Sequence, residues 1–366
     1  MVKNLTDICK IQYGYAFDSS KFSGSQGIPL IRIRDVVRGY SETYTAEKCS
    51  EEYIVNNGDM LIGMDGEFNI AHWKGGQAYL NQRVCRLIPT DKVDALYLFY
   101  FMPKALKAIE DKTPYVTVKH LSAKELNKIV VPIPEMGEQK KIASNLQTID
   151  KLIALRKEQL TKLDQLIKSR FIELFDKKGY SEDTLLNLCN IIDYRGKTPE
   201  KVECGLPFIT AKNVKMHQMN LEPREYISKE TYDKVMVRGF PKEGDVVFTT
   251  EAPLGNVCRI PHFDTEFYIG QRIVTLQTDK LDPIYLEYAL SSDDFKMKYM
   301  EKSSGSTVTG IRVRLLEQLT IPVPPLESQK QFAVFVEQTD KSKLAIQQSL
   351  DKLESLKKSL MQEYFG

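Results

Sequence analysis

The sequence predicts a mixed α/β (α+β) protein in which two pseudo-symmetric globular domains are separated by an antiparallel coiled coil of two long helices. Three observations carry this expectation. Residues 138–175 contain neither proline nor glycine and place apolar side chains at alternating steps of four and three. Residues 327–366 repeat that row at an offset of 190. The segments preceding the two stretches also repeat, at offsets of 178 to 190.

In the first stretch the row is Ile142, Leu146, Ile149, Ile153, Leu160, Leu163, Ile167 and Leu174, interrupted by Arg156 and Arg170. This is the a/d seam of a coiled coil, and a seam needs a partner helix. The second stretch supplies Phe332, Val336, Ile346, Leu350, Leu353, Leu360 and Tyr364 on the matching rungs, with Thr339, Lys343 and Lys357 as weak ones. At about 1.5 Å rise per residue each helix is roughly 50 Å long. Two unrelated amphipathic helices would have no reason to share phase and offset. Beside the seam lie Leu152, Leu155, Leu166, Phe171 and Phe175 in the first helix, and Leu344 and Leu356 in the second. A two-helix pair has little use for so wide an apolar face, so part of it is expected to pack on a partner or on the adjoining domains.

The first globular segment spans 1–137. Leu5–Gly14 leads into a turn-rich loop, YAFDSSKFSGSQG, followed by a β-like run, GIPLIRIRDV (Gly27–Val36). Asn56–Trp73 reads as turn, strand, turn, strand, and YLNQRVCRLIP (Tyr79–Pro89) as a further strand. Asp94–Glu110 is helical, with Tyr97, Phe101 and Leu106 near one face. Tyr115–Leu121 is a loop or edge strand, and Leu126–Pro134 a last strand broken by prolines. After the first long helix (138–176) the plan restarts in 177–326. GLPFITAKNV matches GIPLIRIRDV, EGDVVFTTEAPLGNV matches NGDMLIGMDGEFNI, and IGQRIVTL matches LNQRVCRL. The second long helix, 327–366, closes the chain. This is a two-fold internal duplication, in which each unit is a mixed α/β domain plus a long helix.

Composition excludes more than it identifies. The net charge is only +2, from 51 basic and 49 acidic residues, so any basic surface must come from local clustering. The cysteines (Cys9, Cys49, Cys85, Cys189, Cys204, Cys258) form no C-x-x-C pair and, with four scattered histidines, offer no zinc spacing. No apolar run approaches membrane-spanning length and the first residues do not resemble a signal peptide, so a cytoplasmic protein is expected. Catalytic motifs are near misses. Arg195-Gly196-Lys197-Thr198 resembles the end of a phosphate-binding loop, but Ile191 stands where the upstream glycine should be. Asp282-Pro283-Ile284-Tyr285 resembles the D-P-P-Y of amino-directed DNA methyltransferases, yet fits better as a helix start with proline in its first turn. The chain is therefore expected not to be an enzyme and to hold no metal or cofactor.

Two similar but non-identical domains held at a fixed separation suit a two-part target, and on duplex DNA the natural spacing is about one helical turn, roughly 34 Å. Polar and basic residues cluster near the matched motifs. The first repeat has Arg32, Arg34, Asn81, Gln82, Arg83, Lys119 and His120. The second has Tyr194, Arg195, Lys197, Lys212, Asn213, Gln271, Arg272, Arg312 and Arg314. Arginine, lysine, asparagine and glutamine are the side chains that reach base edges or pair with phosphates. The competing reading for Gln82–Arg83 and Gln271–Arg272 is a structural strand-end contact. Tyr13, Tyr15 and Phe17 fit loop or core packing better than base stacking.

Over its whole length the sequence resembles the specificity subunits of type I restriction-modification systems. The likeness rests on YGYAF (Tyr13–Phe17), IIDYRGKTPEK (Ile191–Lys201), the paired G-x-P-x-I and Q-R strands, and the V-P-I-P-E and I-P-V-P-P segments that precede the E-Q-K-K and S-Q-K-Q helices. The resemblance implies two target recognition domains, each reading one half of a bipartite, asymmetric site in double-stranded DNA. It implies that the helices set the half-site spacing and dock two modification subunits, which carry S-adenosylmethionine and the adenine methylation chemistry. Restriction subunits would complete an endonuclease. A stand-alone adenine methyltransferase and a protein-only coiled-coil scaffold are the alternatives.

Overall fold

The computed structural model describes residues 1–113, 119–176, 178–194, 199–305 and 308–366. Arg195, Lys197 and the greater part of the expected Tyr115–Leu121 edge segment lie outside the described residues. The chain divides into two units, Met1–Lys157 with Gln348–Gly366, and Glu158–Gln347.

The first unit is built on a four-stranded antiparallel sheet in the order Cys9–Tyr13, Val84–Pro89, Met60–Gly63, Ile70–His72. A second sheet runs Phe22–Ser23, Tyr44–Thr45, Ile28–Ile31, Ala78–Leu80, Ile54–Val55, with Ile28–Ile31 and Ala78–Leu80 parallel. Met60–Gly63 is buried throughout because both faces of its sheet are covered. Successive side chains in a strand point to opposite faces. Met60, Ile62, Cys85 and Leu87 accordingly join the core beneath the helix Ala95–Lys112, while Leu61 and Val84 pack with Ile31, Trp73 and Leu80 on the other side.

The second unit repeats the plan. Its sheet runs Asn190–Asp193, Ile273–Gln277, Val246–Thr249, Val257–Arg259, and the parallel pair is Leu206–Ile209 with Tyr268–Ile269. Val246, Phe248, Val274 and Leu276 face the helical core, while Val247 and Ile273 face the second sheet. A short ladder ties each long helix's lead-in to the start of its unit: Val2–Asn4 with Val130–Pro132, and Glu182–Thr184 with Thr320–Pro322. The duplication read from the sequence is thus a duplication of topology.

Three sequence expectations need correction. Leu126–Pro134 is a strand only over Val130–Pro132, because Leu126 and Asn127 end the helix Ala123–Asn127. GIPLIRIRDV is a strand only as far as Ile31. There the Asp35 carboxylate accepts the Arg32 N–H at 2.9 Å and the chain turns into the helix Ile33–Arg38. YLNQRVCRLIP and IGQRIVTL are not single strands. Asn81–Arg83 and Gly270–Arg272 are turns, closed by Val84 N–H to Asn81 O (2.9 Å) and Ile273 N–H to Gly270 O (3.2 Å). Each turn carries the chain from one sheet to the other, which a residue pattern read as one run conceals.

The seam forms within both units. The first long helix is Met136–Phe171 and the second Leu326–Phe365. In the first unit Ile142, Leu146, Ile149 and Leu350 are buried and Ile153, Leu353 and Leu360 half-buried. The cross-helix partners Asn145–Tyr364 (3.3 Å), Asp150–Lys357 (2.6 Å) and Lys157–Glu354 (3.0 Å) run in opposite directions along the two helices, so they are antiparallel. In the second unit Ile167, Phe332 and Val336 are buried, Leu160, Leu163 and Ile346 half-buried, and Lys343 reaches Asp164 at 2.7 Å. The weak rungs therefore have a physical account. Lys343 and Lys357 cross to a carboxylate, and Thr339 donates its hydroxyl to the Phe335 carbonyl at 2.8 Å.

At the helix ends the seam drifts by one residue. Phe175 and Phe365 are buried, whereas the expected rungs Leu174 and Tyr364 are only half-buried. A helix advances 3.6 residues per turn against the 3.5 of a strict heptad. Phe175 packs on Tyr285 at 4.9 Å and Phe365 on Tyr97 at 5.3 Å, so both end rings belong to the domain cores. Phe171 is likewise internal, but Leu152, Leu155, Leu166, Leu344 and Leu356 remain exposed.

The long helices start at a repeated lock. Buried Gln139 accepts the Asp94 N–H at 2.9 Å and donates to the Pro134 carbonyl at 2.9 Å. Buried Gln329 does the same with Asp282 (2.9 Å) and Pro324 (2.8 Å). Asp94 and Asp282 cap their own helices, accepting from Leu96 and Tyr97 and from Ile284 and Tyr285. Asp282-Pro283-Ile284-Tyr285 is therefore a helix start, and the Tyr285 hydroxyl is buried against the Pro322 carbonyl at 2.6 Å.

Candidate nucleic-acid interface

The polar residues singled out by sequence do not all converge, but a core of them does, and it does so twice. In the first unit the Arg83 carbonyl accepts the Met64 N–H (3.0 Å), and the Met64 carbonyl accepts the Leu121 N–H (2.7 Å). In the second the Arg272 carbonyl accepts the Thr250 N–H (2.9 Å), and the Thr250 carbonyl accepts the Ile311 N–H (3.0 Å). Three segments are thus knit side by side: the Gln-Arg turn, the end of a central strand, and the stretch leading to a short helix.

This lattice puts a carboxylate beside each arginine. Arg83 Nε lies 3.5 Å from Asp65 Oδ2, and Arg272 Nε lies 2.8 Å from Glu251 Oε1. Both arginine side chains stay about half exposed, at 52% and 53%. In the first unit His120 Nδ1 adjoins Asp65 Oδ1 and lies 3.3 Å from Arg83 Nη1. That nitrogen can donate to the carboxylate or accept from the guanidinium, not both at once. Asn81 Oδ1 accepts the Gln82 N–H at 2.9 Å, and Gly14 of the YGYAF string passes so close that a side chain there would overlap the Asn81 carbonyl. Asn81, Gln82, Arg83, Lys119 and His120 therefore share one place. Lys119 turns its ammonium inward to the Glu110 carbonyl at 2.7 Å.

In the second unit exposed Lys212 lines a small cleft of ≈ 290 Å³ together with Gln271, Arg272, Lys201 and Phe208. Arg312 and Arg314 are exposed at the start of the helix Val313–Leu316, just past the Gly310 bridge to Glu251. Arg32 and Arg34 are exposed in the first unit, at and just after the cap of Ile33–Arg38, where Arg34 lies 3.7 Å from Asp35.

Two expected contacts are internal. Asn213 is buried, accepting from the Thr210 N–H (2.9 Å) and donating to the Asn220 and Pro223 carbonyls (3.0 and 3.2 Å). It is the counterpart of Asp35, a backbone brace with no polar atom left for DNA. Tyr194 is buried with its hydroxyl on the Gly239 carbonyl, and burial pushes its pKa up to about 12. Conversely, Asp65 and Glu251 were missed. Their signal was available, since both repeats carry an acidic residue at the same place after the matched G-D strand.

No group of histidine, cysteine and carboxylate side chains suited to a metal occurs among the described residues. Burial pushes the thiols of Cys9 up to about 11 and of Cys85 up to about 12, as expected of inert core cysteines. No described helix is long and apolar enough to cross a membrane.

Fold and site together define a class: a duplicated mixed α/β protein whose two long helices each begin in one unit and pair in both, with the same arginine–carboxylate turn in each copy. The chain belongs to the family described as the type I restriction modification DNA specificity domain, whose model matches residues 1–165 and 178–357. It is 27% identical to the type I restriction enzyme EcoBI specificity subunit of Escherichia coli, over 99% of this chain and 84% of that one. It is 26% identical to the MjaVIII specificity subunit of Methanocaldococcus jannaschii, over 85% and 79%. In fold it resembles the crystal structure of the type I restriction-modification S subunit from M. genitalium, at a TM-score of 0.60 and 14% identity, covering 100% of this chain and 96% of that one. A chain from a structural study of type I complex assembly and conformational transition gives the same TM-score at 18% identity, covering 100% and 97%.

Proposed function

We propose that the chain is the non-catalytic sequence-specificity subunit of a type I restriction-modification complex. Each unit reads one half of a bipartite, asymmetric site in duplex DNA. The paired helices fix the distance between the halves, and the exposed leucines beside the seam, Leu152, Leu155, Leu166, Leu344 and Leu356, take part in docking two modification subunits. Those partners bring S-adenosylmethionine and methylate adenine; restriction subunits join them for cleavage, and the assembly works in the cytoplasm.

The observation that carries this reading is the repetition of the arginine–carboxylate turn, on one topology, in a chain of the DNA specificity family. A stand-alone methyltransferase is disfavoured by Tyr285, whose hydroxyl is committed inside the fold rather than offered to a base.

Mapping adenine methylation in cells that express the modification subunits, with and without this chain, tests the proposal. A bipartite motif that appears only with the chain is expected. Its absence, with both proteins present and folded, would leave the scaffold reading. Inserting four residues between Leu155 and Arg156 lengthens the helix by about 6 Å. The mapped motif is then expected to widen its spacer or vanish; an unchanged motif contradicts the spacing role.

A further inference from the structure

The carboxylates at the two Gln-Arg turns have no place in a simple picture of basic residues attracting DNA. A negative charge beside each presented arginine should weaken binding, yet both repeats keep one, Asp65 and Glu251, at the same position of the same backbone lattice. The contact geometry suggests why. In each unit the carboxylate faces Nε of the guanidinium. A guanidinium is a planar fork of five N–H donors, so one held along its Nε edge keeps the Nη pair available for a planar acceptor. The Arg272 side chain makes no bond beyond Glu251 among the described residues and is half exposed, whereas Arg83 Nη1 also lies 3.3 Å from His120 Nδ1. The residues that carry the carboxylates are in turn held by backbone bridges, Asp65 to His120 and Glu251 to Gly310.

We propose that Asp65 and Glu251 are positioning residues for DNA recognition, each anchoring the arginine of its Gln-Arg turn by the Nε edge so that the terminal nitrogens meet the duplex in that unit's half-site. This rests on the function proposed above and adds the residues that aim the contact. A loose arginine must give up rotamer freedom on binding; one already braced gives up less. The charge of the carboxylate is largely spent on the guanidinium, so the repulsion it adds is smaller than the ordering it supplies.

The test uses the full chain assembled with its modification subunits, and duplexes carrying the mapped motif or a version with one half scrambled. Arg272→Ala is expected to weaken binding to the intact motif about tenfold, the scale of one good arginine contact. On DNA with the second unit's half scrambled it is expected to change nothing. Arg83→Ala behaves the same way for the other half. Glu251→Gln and Asp65→Asn each lose about threefold, and Arg272→Ala with Glu251→Gln binds no worse than Arg272→Ala alone. Unchanged or tighter binding by Glu251→Gln overturns the proposal, because the carboxylate would then only be competing with DNA. Equal losses on intact and scrambled duplexes also overturn it, since a merely structural role lowers both. A wild-type complex with no preference for any bipartite motif instead refutes the underlying function, and so is told apart.

Discussion

The two units share a plan but not a surface, and the division between what they share and what they do not is informative. Shared features hold the architecture: the aspartate caps Asp94 and Asp282, the buried glutamines Gln139 and Gln329, the tyrosines Tyr97 and Tyr285, and the helix-end rings Phe365 and Phe175. Differences lie in the segments beyond the parallel strand pair. The first unit sets its Asp35 brace inside the helix Ile33–Arg38, whereas the second follows Asn213 with a two-stranded hairpin, Val214–Lys215 and Gln218–Met219. On the helix Pro283–Ser291 the second unit places a buried carboxylate, Glu287, paired with Arg259 at 2.6 Å and His217 at 2.8 Å; Phe99 stands at the matching place in the first. A protein reading two different half-sites needs this division: one scaffold, kept twice, and two recognition surfaces free to diverge.

The largest effect that would sharpen the comparison lies where the long helices enter the cores. Phe332 packs among Phe171, Phe175 and Tyr288 with ring centroids 5.3–5.6 Å apart. Phe332→Ala should destabilise the second unit by about 3–5 kcal/mol. Its counterpart Ile142→Ala, which removes a smaller side chain, should cost the first about 2–4 kcal/mol. The single tryptophan, Trp73, is buried in the first unit. Its fluorescence in a denaturant titration should shift strongly for Ile142→Ala, while Phe332→Ala should act chiefly on the circular dichroism of the remaining helices. If Phe332→Ala moved the tryptophan transition as far as Ile142→Ala does, the units would not be separate cores.

The glutamine locks should instead behave identically. Removing either side chain strands one buried backbone donor and one acceptor, each worth about 1–3 kcal/mol. Gln139→Ala and Gln329→Ala are therefore expected to cost about 2–6 kcal/mol apiece and to agree within about 1 kcal/mol. Thermal unfolding of the two variants checks this; a large inequality would mean that the shared motif is not a shared function.

Much of this was legible in sequence because it is periodic or repeated. The seam rows, the Asp94 and Asp282 starts and the two-fold plan depend on local spacing, which a chain displays openly. One misreading comes from a polar side chain spent inside. Asn213 looks like a surface group in a string of letters, and only its backbone bond to Thr210 reveals it as a brace. The Gln-Arg turn of the first unit reads as strand because Val84–Pro89 and Ala78–Leu80 are both β and only three residues part them. The carboxylates beside them needed the third dimension, since Asp65 and Arg83 become neighbours only through the Met64–Arg83 backbone bond.

The smallest expected effect concerns the ladders that tie each helix lead-in to its unit. In the first unit the edge residue is exposed Val2; in the second it is Glu182, which accepts from the Thr320 hydroxyl and from Lys298 Nζ at 2.9 and 3.0 Å. The hydrogen bonds from Thr320, and then from Lys298, hold the Glu182 pKa below the ordinary carboxylate value of 4.5. A carboxyl whose folded pKa is depressed adds stability that is present above its unfolded pKa and lost as pH falls through the folded value. Because the side chain is 41% exposed, solvent limits the contribution to about 0.5 kcal/mol. Glu182→Gln should therefore lower the stability of the second unit slightly at pH 7, and the gap to wild type should close on titration to below the depressed pKa. Denaturant unfolding of wild type and Glu182→Gln, repeated across pH, measures this. A gap that persists in acid would assign the effect to shape rather than charge, and the ladders of the two units would then differ only in packing.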